Sequence, residues 1–293
     1  MKHHALLFIV LTLGTGCGDD APPPPDNTSN DYRLSGTAPF PATFAVGDRI
    51  RSVVLRAESR INGDVDVSRC GYDLAVFDVT QAPTVMPVLT DTSGDCKLYR
   101  TPPEEQYTPQ RAVCLGALNV QSGSIMENRV FCPAVGGPMR GSTDNFTSCG
   151  NFFAQRTATV TSVDDGVKGD VVTDLMATVN FPTSVRFTAP SDLAVFTWPA
   201  SGDLLVRWTS AQATSAVVRL EPDGSTMGPV ILCTPRTNGT MRVEAALISM
   251  AGFRTVNTRL RVWSYREVTA QAMGVPWRVA GAMGSSLLLQ PAQ

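Results

Sequence analysis

The sequence contains very little histidine, and this scarcity excludes several kinds of catalytic chemistry. His3 and His4 are the only two histidines among 293 residues. No imidazole is therefore available elsewhere as the base of a Ser-His-Asp or Cys-His site, or as a ligand of zinc. No two cysteines have the C-x-x-C spacing of thiol redox enzymes and zinc ribbons. We therefore expect no enzymatic activity, no metal and no cofactor.

Lysine, net charge and long apolar runs are also scarce. Lys97 and Lys168 are the only lysines after Lys2, and the rest of the 24 basic residues are arginines. The net charge is −2, so the chain has no excess of basic residues that would favour nucleic acid as a partner. The apolar run Ala5–Leu13 is shorter than the roughly 20 residues of a membrane-spanning helix.

The first residues have the arrangement of an export signal. A positive start is followed by the apolar run Ala5–Leu13 and then by small residues that lead to Cys17. They resemble the signal of bacterial lipoproteins, in which small residues precede a cysteine. The resemblance implies that residues 1–16 are removed and that Cys17 is lipidated as the new N-terminus. Gly14 and Gly16 also satisfy the small-x-small rule of ordinary secretion, and that alternative stays open.

A lipidated Cys17 would hold the chain at a membrane, because two or more acyl chains anchor a protein stably. Gly18 rather than Asp follows it, which in enterobacterial lipoproteins favours the outer membrane. Residues 17–33 contain four consecutive prolines and a polar tail, so we expect a disordered, extended tether. The expected location is the bacterial cell envelope, at the outer membrane, with membrane lipid as the partner of Cys17.

Six cysteines follow Cys17, and an even number in an exported chain indicates disulfides. Their 15 pairings all stay open at this stage. Cys233 is distant from the others and either bridges back to the first half of the chain or is a buried free thiol. The six disulfide candidates are Cys70, Cys96, Cys114, Cys132, Cys149 and Cys233.

Short segments rich in β-branched and aromatic residues, separated by Gly and Pro turns, predict an all-β fold of sandwiches or barrels. Residues 34–183 are expected to form a disulfide-stapled β-rich domain, and residues 184–293 a second β-sandwich-like domain. Glu244–Met250 is the predicted short helix. Asp91–Pro109 and Pro133–Gly150 are expected to be long loops. The predicted strands are Arg49–Arg56, Tyr72–Val79, Cys114–Val120, Ser124–Val130, Thr157–Val163, Val171–Phe181, Leu193–Trp198, Leu204–Trp208, Ala216–Leu220, Val230–Cys233, Thr258–Glu267 and Ser285–Gln290.

A second resemblance lies in the body of the chain. The segments that carry it are Cys114–Ile125, Phe181–Pro182, Leu204–Trp208, Val217–Val218, Ile231–Cys233 and Gly239–Val243, together with Leu247. They are similar to segments of uncharacterised envelope lipoproteins of myxobacteria and their relatives. The resemblance covers most of the chain after the signal and implies an envelope β-protein, but it brings no catalytic residue.

One predicted strand carries a candidate binding stripe. Arg259, Arg261, Trp263 and Tyr265 alternate along it and therefore share one face. If this face is exposed, the rings could stack on sugars or anchor a protein, with arginine as a second favoured contact residue. If both faces are covered, the arginine stems pack on the rings and the stripe is structural.

Acidic residues are close together at three places, but no cluster has a complete catalytic or metal-binding pattern. Asp91, Ser93 and Asp95 have the alternate spacing of a calcium loop, yet Pro102 occupies the position of its bidentate glutamate. A carboxylate pair could run glycoside hydrolysis without histidine, but such pairs are common on surfaces. The other two clusters are Asp64 with Asp66, and Asp164 with Asp165 and Asp170.

The expected function is that of a non-catalytic, lipid-anchored envelope protein with a structural or interaction role. The alternative is a carbohydrate- or peptidoglycan-binding module that uses the face formed by Arg259, Arg261, Trp263 and Tyr265. In both cases the partners would be envelope proteins or glycan rather than nucleic acid.

Overall fold

The computed structural model describes residues 46–59, 65–79, 88–100, 110–112, 117–130, 139–143, 153–163, 174–190, 195–224, 228–236 and 239–291. These residues are mostly β-strand, so the all-β, sandwich-like prediction is confirmed. The predicted short helix is present as α1 (Ala245–Met250), and a 3₁₀ turn at Phe253–Thr255 follows it. The strands are β1 (Arg49–Ser59), β2 (Val65–Val79), β3 (Leu89–Ser93), β4 (Cys96–Tyr99), β5 (Gln110–Ala112), β6 (Ala117–Ser122), β7 (Ile125–Val130), β8 (Met139–Thr143), β9 (Thr157–Val163), β10 (Met176–Asn180), β11 (Arg186–Ala189), β12 (Val195–Thr197), β13 (Leu204–Thr209), β14 (Ser215–Pro222), β15 (Val230–Cys233), β16 (Thr240–Val243), β17 (Thr258–Ala272) and β18 (Val275–Gln290).

Eleven of the described strands form one large sheet. Its order is β3-β4-β15-β14-β17-β18-β1-β2-β5, with β12 added at β18 and β8 added at β2. A four-stranded sheet has the order β10-β9-β6-β7, and a three-stranded sheet has the order β11-β13-β16. The two small sheets lie over the same face of the large sheet, because the odd-numbered residues of β18 contribute to the cores beneath both.

Two hydrophobic cores lie between the large sheet and the small ones. The first combines β1 and β2 with β6, β9 and β10, and the second combines β14, β15 and β17 with β11, β13, β16 and α1. β18 enters both cores, with Val279 and Met283 in the first and Leu287 and Leu289 in the second. Full burial of a large apolar side chain contributes about 1.5–3 kcal/mol, so both cores draw stability from this one strand.

The first core is formed mainly by strands before residue 183, and the second mainly by strands after it. β4 and β18 depart from this division. Cys96 and Leu98 of β4 belong to the second core, and the first half of β18 belongs to the first. The two predicted units therefore share one sheet.

The hairpin of β17 and β18 is the longest pairing in the described structure. It runs from Thr258 opposite Leu289 to Ala272 opposite Val275. Met273 and Gly274 form its two-residue turn, and both have positive φ, at 52° and 71°. Two-residue turns with positive φ at both positions match the right-handed twist of the flanking strands.

Gly281 lies in the middle of β18 and allows the two sheets to come close together. A Cβ atom added there would lie 2.6 Å from Cδ1 of Phe181 and 2.8 Å from the backbone oxygen of Asn180. A glycine inside a strand often marks such an approach. The strand is predicted only from Ser285 onward, ten residues later than Val275. Gly281 and Gly284 interrupt the apolar pattern before that point.

The expected loop over Asp91–Pro109 is wrong at its N-terminal end. β3 and β4 form a hairpin whose turn contains Gly94 with φ of 56°. β4 pairs with β15 at the edge of the large sheet, and Leu98 is buried in the second core. The segment is polar in composition and was therefore expected to be a loop. The burial of its few apolar residues explains why it forms a hairpin instead.

The expected loop over Pro133–Gly150 also contains a strand, because β8 pairs with β2 along five residues. The other predicted strands are present, some with shifted ends. None of the helices in the described ranges is long and apolar enough to cross a membrane.

The disulfide between Cys96 and Cys233 joins β4 to β15 across 137 residues of sequence. We expect the double variant Cys96→Ala, Cys233→Ala to lower the free energy of unfolding by about 2–5 kcal/mol, because a long closed loop restricts the unfolded chain. Urea denaturation followed by circular dichroism measures this change. A double variant that unfolds at the wild-type urea concentration would contradict the prediction.

Candidate functional site

The predicted stripe lies on the face of the large sheet opposite the two cores. Val262 of β17 points into the second core, so by alternation Trp263 and Tyr265 point the other way. Their side chains pack with Val54 and Val217 in a third cluster. Trp263 is 2% exposed and Tyr265 is 1% exposed. The face is therefore covered at its aromatic end.

The ring of Trp263 lies against Gly284, its partner on β18. A Cβ atom added to Gly284 would lie 2.4 Å from the ring, so only glycine fits beneath it. Tyr265 is paired with Ala282, another small residue. The hypothesis that these rings stack on a sugar required exposure, and their burial contradicts it. The sequence pattern predicted the shared face, but burial depends on β1, β14 and β18, which are distant in sequence.

The arginines of the stripe are held in ion pairs. Arg259 lies 2.7 Å from Asp223, and Arg261 lies 3.2 Å from Glu221. Glu221 also accepts a hydrogen bond of 2.7 Å from Arg219. The ion pairs of Arg259 and Arg261 tie the end of β14 to the start of β17. They give the arginines a structural role on a half-buried surface.

Tyr265 and Trp263 each bury a polar atom. Among the described residues, neither the hydroxyl of Tyr265 nor the indole nitrogen of Trp263 has a hydrogen-bond partner. Burial raises the pKa of Tyr265 far above its usual value, so its hydroxyl stays neutral. The guanidinium of Arg278 lies 5.9 Å from the centre of its ring, a cation–π contact.

Three of the six disulfide candidates lie in the described ranges. Cys96 and Cys233 are bonded to each other and fully buried, so the bridge back to the first half is the correct alternative for Cys233. Cys70 is also buried and disulfide-bonded. The lipidation site Cys17 lies outside the described residues, as do Cys114, Cys132 and Cys149.

A charged cleft of about 360 Å³ lies beside this disulfide, next to the β3–β4 turn. Asp95 of the turn lies 3.1 Å from Arg236, and Arg242 pairs with Asp203. Asp203 also accepts a hydrogen bond of 2.8 Å from the backbone N–H of Ala245, at the start of α1. This bond and the bond from Arg242 lower the pKa of Asp203. Asp95 and Arg236 therefore hold the β3–β4 hairpin in place, and Asp203, paired with Arg242, caps α1.

The acidic cluster with calcium-loop spacing does not come together as a site. Asp95 is paired with Arg236, and Asp91 accepts a hydrogen bond of 2.7 Å from the backbone N–H of Thr92. Among the described residues, no group of three or more His, Cys, Asp or Glu is placed to hold a metal ion. Asp64 and the cluster Asp164–Asp170 lie outside the described residues, and nothing is described of the side chain of Asp66.

A second cleft, of about 380 Å³, lies on the outer face of the four-stranded sheet, and we call it the polar cleft. Its floor is formed by Gln121 of β6 and by Thr157 and Thr159 of β9, and its wall by Gln155. Gly123, in the turn after β6, completes it. All five lining residues are uncharged.

The polar cleft continues into a row of uncharged polar side chains on the same sheet face. Thr159 faces Thr178, with their hydroxyl oxygens 3.1 Å apart, and the hydroxyl of Thr157 donates to Oδ1 of Asn180 at 2.9 Å. None of these residues is among the site residues predicted from the sequence. The signal was present in β9, whose threonines alternate with the buried Ala158 and Val160.

If the stripe is a structural element, its two rings should respond differently to substitution. Trp263→Ala should lower the free energy of unfolding by about 3–5 kcal/mol, because it removes a buried ring. The matched variant Tyr265→Phe should leave it unchanged or raise it, because it removes only a buried hydroxyl that bonds to none of the described residues. Urea denaturation of both variants tests this. Wild-type stability of Trp263→Ala would show that the ring is not packed.

The comparisons with known proteins show no family for this chain. No protein-family model matches the sequence, and no curated protein matches it. One similar solved structure concerns host cell surface retention of a 1.5-MDa bacterial ice-binding adhesin, with 13% identity and a TM-score of 0.20. The match covers 83% of this chain and 66% of the other. A likeness this weak supports no conclusion about activity, substrate or partner.

Proposed function

We propose that this chain is an exported, non-catalytic protein of the bacterial cell envelope, anchored by lipid on Cys17 and acting through a binding surface. The buried disulfide between Cys96 and Cys233 is the observation that carries the proposal. Disulfides form and persist in oxidising compartments and are rare in the cytosol. A disulfide in the second core therefore supports export, in agreement with the signal-like residues 1–16.

The placement of the described carboxylates supports a non-catalytic role. In a chain without a usable histidine, hydrolysis would need a pair of carboxyl groups that face a substrate. Six of the described carboxylates face an arginine in an ion pair instead: Asp78, Asp95, Asp203, Glu221, Asp223 and Glu267.

The alternative function, glycan binding, needs a surface other than the predicted stripe, because Trp263 and Tyr265 are buried. The polar cleft is such a surface. An anchored protein with a tether of residues 17–33 would hold this cleft within reach of envelope glycan, since an extended tether of this length spans roughly 50 Å.

Incorporation of fatty acid in a bacterial host tests the anchor. We expect labelled wild-type protein in the membrane fraction and no label in Cys17→Ser, because the thioether requires the thiol. The matched variant Asp19→Asn lies two residues away, leaves the thiol in place and should still be labelled. Wild-type protein that is cleaved, unlabelled and released into the medium would contradict the proposal and favour simple secretion.

A further inference from the structure

We propose that the polar cleft binds an uncharged, hydroxyl-rich saccharide. This inference rests on the proposed envelope function and names the ligand class of its binding surface. The five lining residues, Gln121, Gly123, Gln155, Thr157 and Thr159, offer amide and hydroxyl groups and no charge.

The chemistry of these groups matches that of sugar hydroxyls. A threonine hydroxyl both donates and accepts, and a glutamine amide presents a donor and an acceptor side by side. A sugar hydroxyl likewise donates one hydrogen bond and accepts others. The five lining residues offer no countercharge to an anionic or cationic ligand, so they do not favour a charged ligand over an uncharged one.

Hydrogen bonds hold the side chains of the cleft floor in place and leave their oxygen atoms able to accept hydrogen bonds from a ligand. The hydroxyl of Thr157 donates to Asn180, so its oxygen still accepts from a ligand. The amide nitrogen of Gln121 donates to the backbone oxygen of Gly123 at 3.1 Å, so its Oε1 also remains an acceptor. Side chains that are already ordered lose less entropy on binding.

The wall of the cleft is equally well supported. Gln155 lies in a turn in which the N–H of Arg156 donates to the backbone oxygen of Phe153 at 3.2 Å. The N–H of Phe181 donates to the backbone oxygen of Arg156 at 2.8 Å. The rings of Phe153 and Phe181 are 4.6 Å apart and anchor this turn in the first core.

Gly123 lets the wall approach the floor. A Cβ atom added to Gly123 would lie 3.3 Å from Cγ and Cδ of Gln155, so the glutamine stem packs over the glycine. The hydroxyl of Ser122 donates to the backbone oxygen of Thr157 at 2.8 Å and fixes the spacing of β6 and β9. The cleft is therefore a built feature of the fold.

An apolar contact lies next to the hydrogen-bonding groups. Met126 is the partner of Gln121 on β7 and is 60% exposed. Its flexible thioether side chain adapts to irregular surfaces and suits the C–H face of a sugar ring. A specific protein partner would instead need an apolar centre in the interface, whereas the floor here consists of hydroxyl and amide groups.

Isothermal titration calorimetry on the full chain carrying Cys17→Ser, which cannot be lipidated, tests the proposal. The probes are neutral hexasaccharides of glucose, xylose, galactose and N-acetylglucosamine, with hyaluronan and polygalacturonate as anionic polymers. We expect binding of at least one neutral probe and of neither polymer. Binding of the polymers alone, or of no probe, would overturn the proposal.

The variants Thr159→Val and Gln155→Ala should each weaken the binding of that neutral probe about tenfold, because each removes a hydrogen-bonding group of the cleft. The matched control is Thr161→Val, the same substitution two residues along β9 and outside the cleft, with an affinity within about twofold of wild type. Equal losses in Thr159→Val and Thr161→Val would overturn the site. Fatty-acid label on Cys17 without saccharide binding would overturn the proposed binding site but support the lipid anchor. Saccharide binding without label would support the binding site but contradict the lipid anchor.

Discussion

All fifteen residues of β17 pair with β18, and both cores depend on this hairpin. Val279 and Met283 at one end pack in the first core, while Leu260 and Leu287 at the other end pack in the second. Neither core is complete without residues from the last 36 of the chain. Ion pairs and the buried Trp263 cover the opposite face of the same hairpin. We therefore infer that the two units unfold together.

Alternation of apolar residues predicted most strands and the all-β class, because apolar and polar residues alternate along a strand that has one buried and one exposed face. The first half of β18 was not predicted, because this alternation is weak there. Gly281 and Gly284 weaken the pattern, yet each is required where a neighbour comes too close for a Cβ atom, Phe181 on one face and Trp263 on the other. The β3–β4 hairpin was missed because its polar residues conceal Leu98, which is buried by a distant strand.

The candidate sites show the same limit. The sequence predicted that Trp263 and Tyr265 share a face, but their burial is decided by partners on β1, β14 and β18. The pairing of Cys96 with Cys233 could not be chosen from 15 connectivities, since it follows from the neighbouring positions of β4 and β15. The polar cleft is formed by β6, β9 and the turn that contains Gln155. The alternating threonines of β9 can be recognised in the sequence, but their proximity to Gln155 cannot.

Native-state hydrogen exchange on the full chain tests most directly whether the central hairpin makes one unit of the two cores. The slowest amides of β9 report on the first core, and those of β13 report on the second. Amides that exchange only through global unfolding share one opening free energy. The account predicts equal values for the two strands, within about 1 kcal/mol. A first core that opens several kcal/mol more easily than the second would show independent units and contradict it.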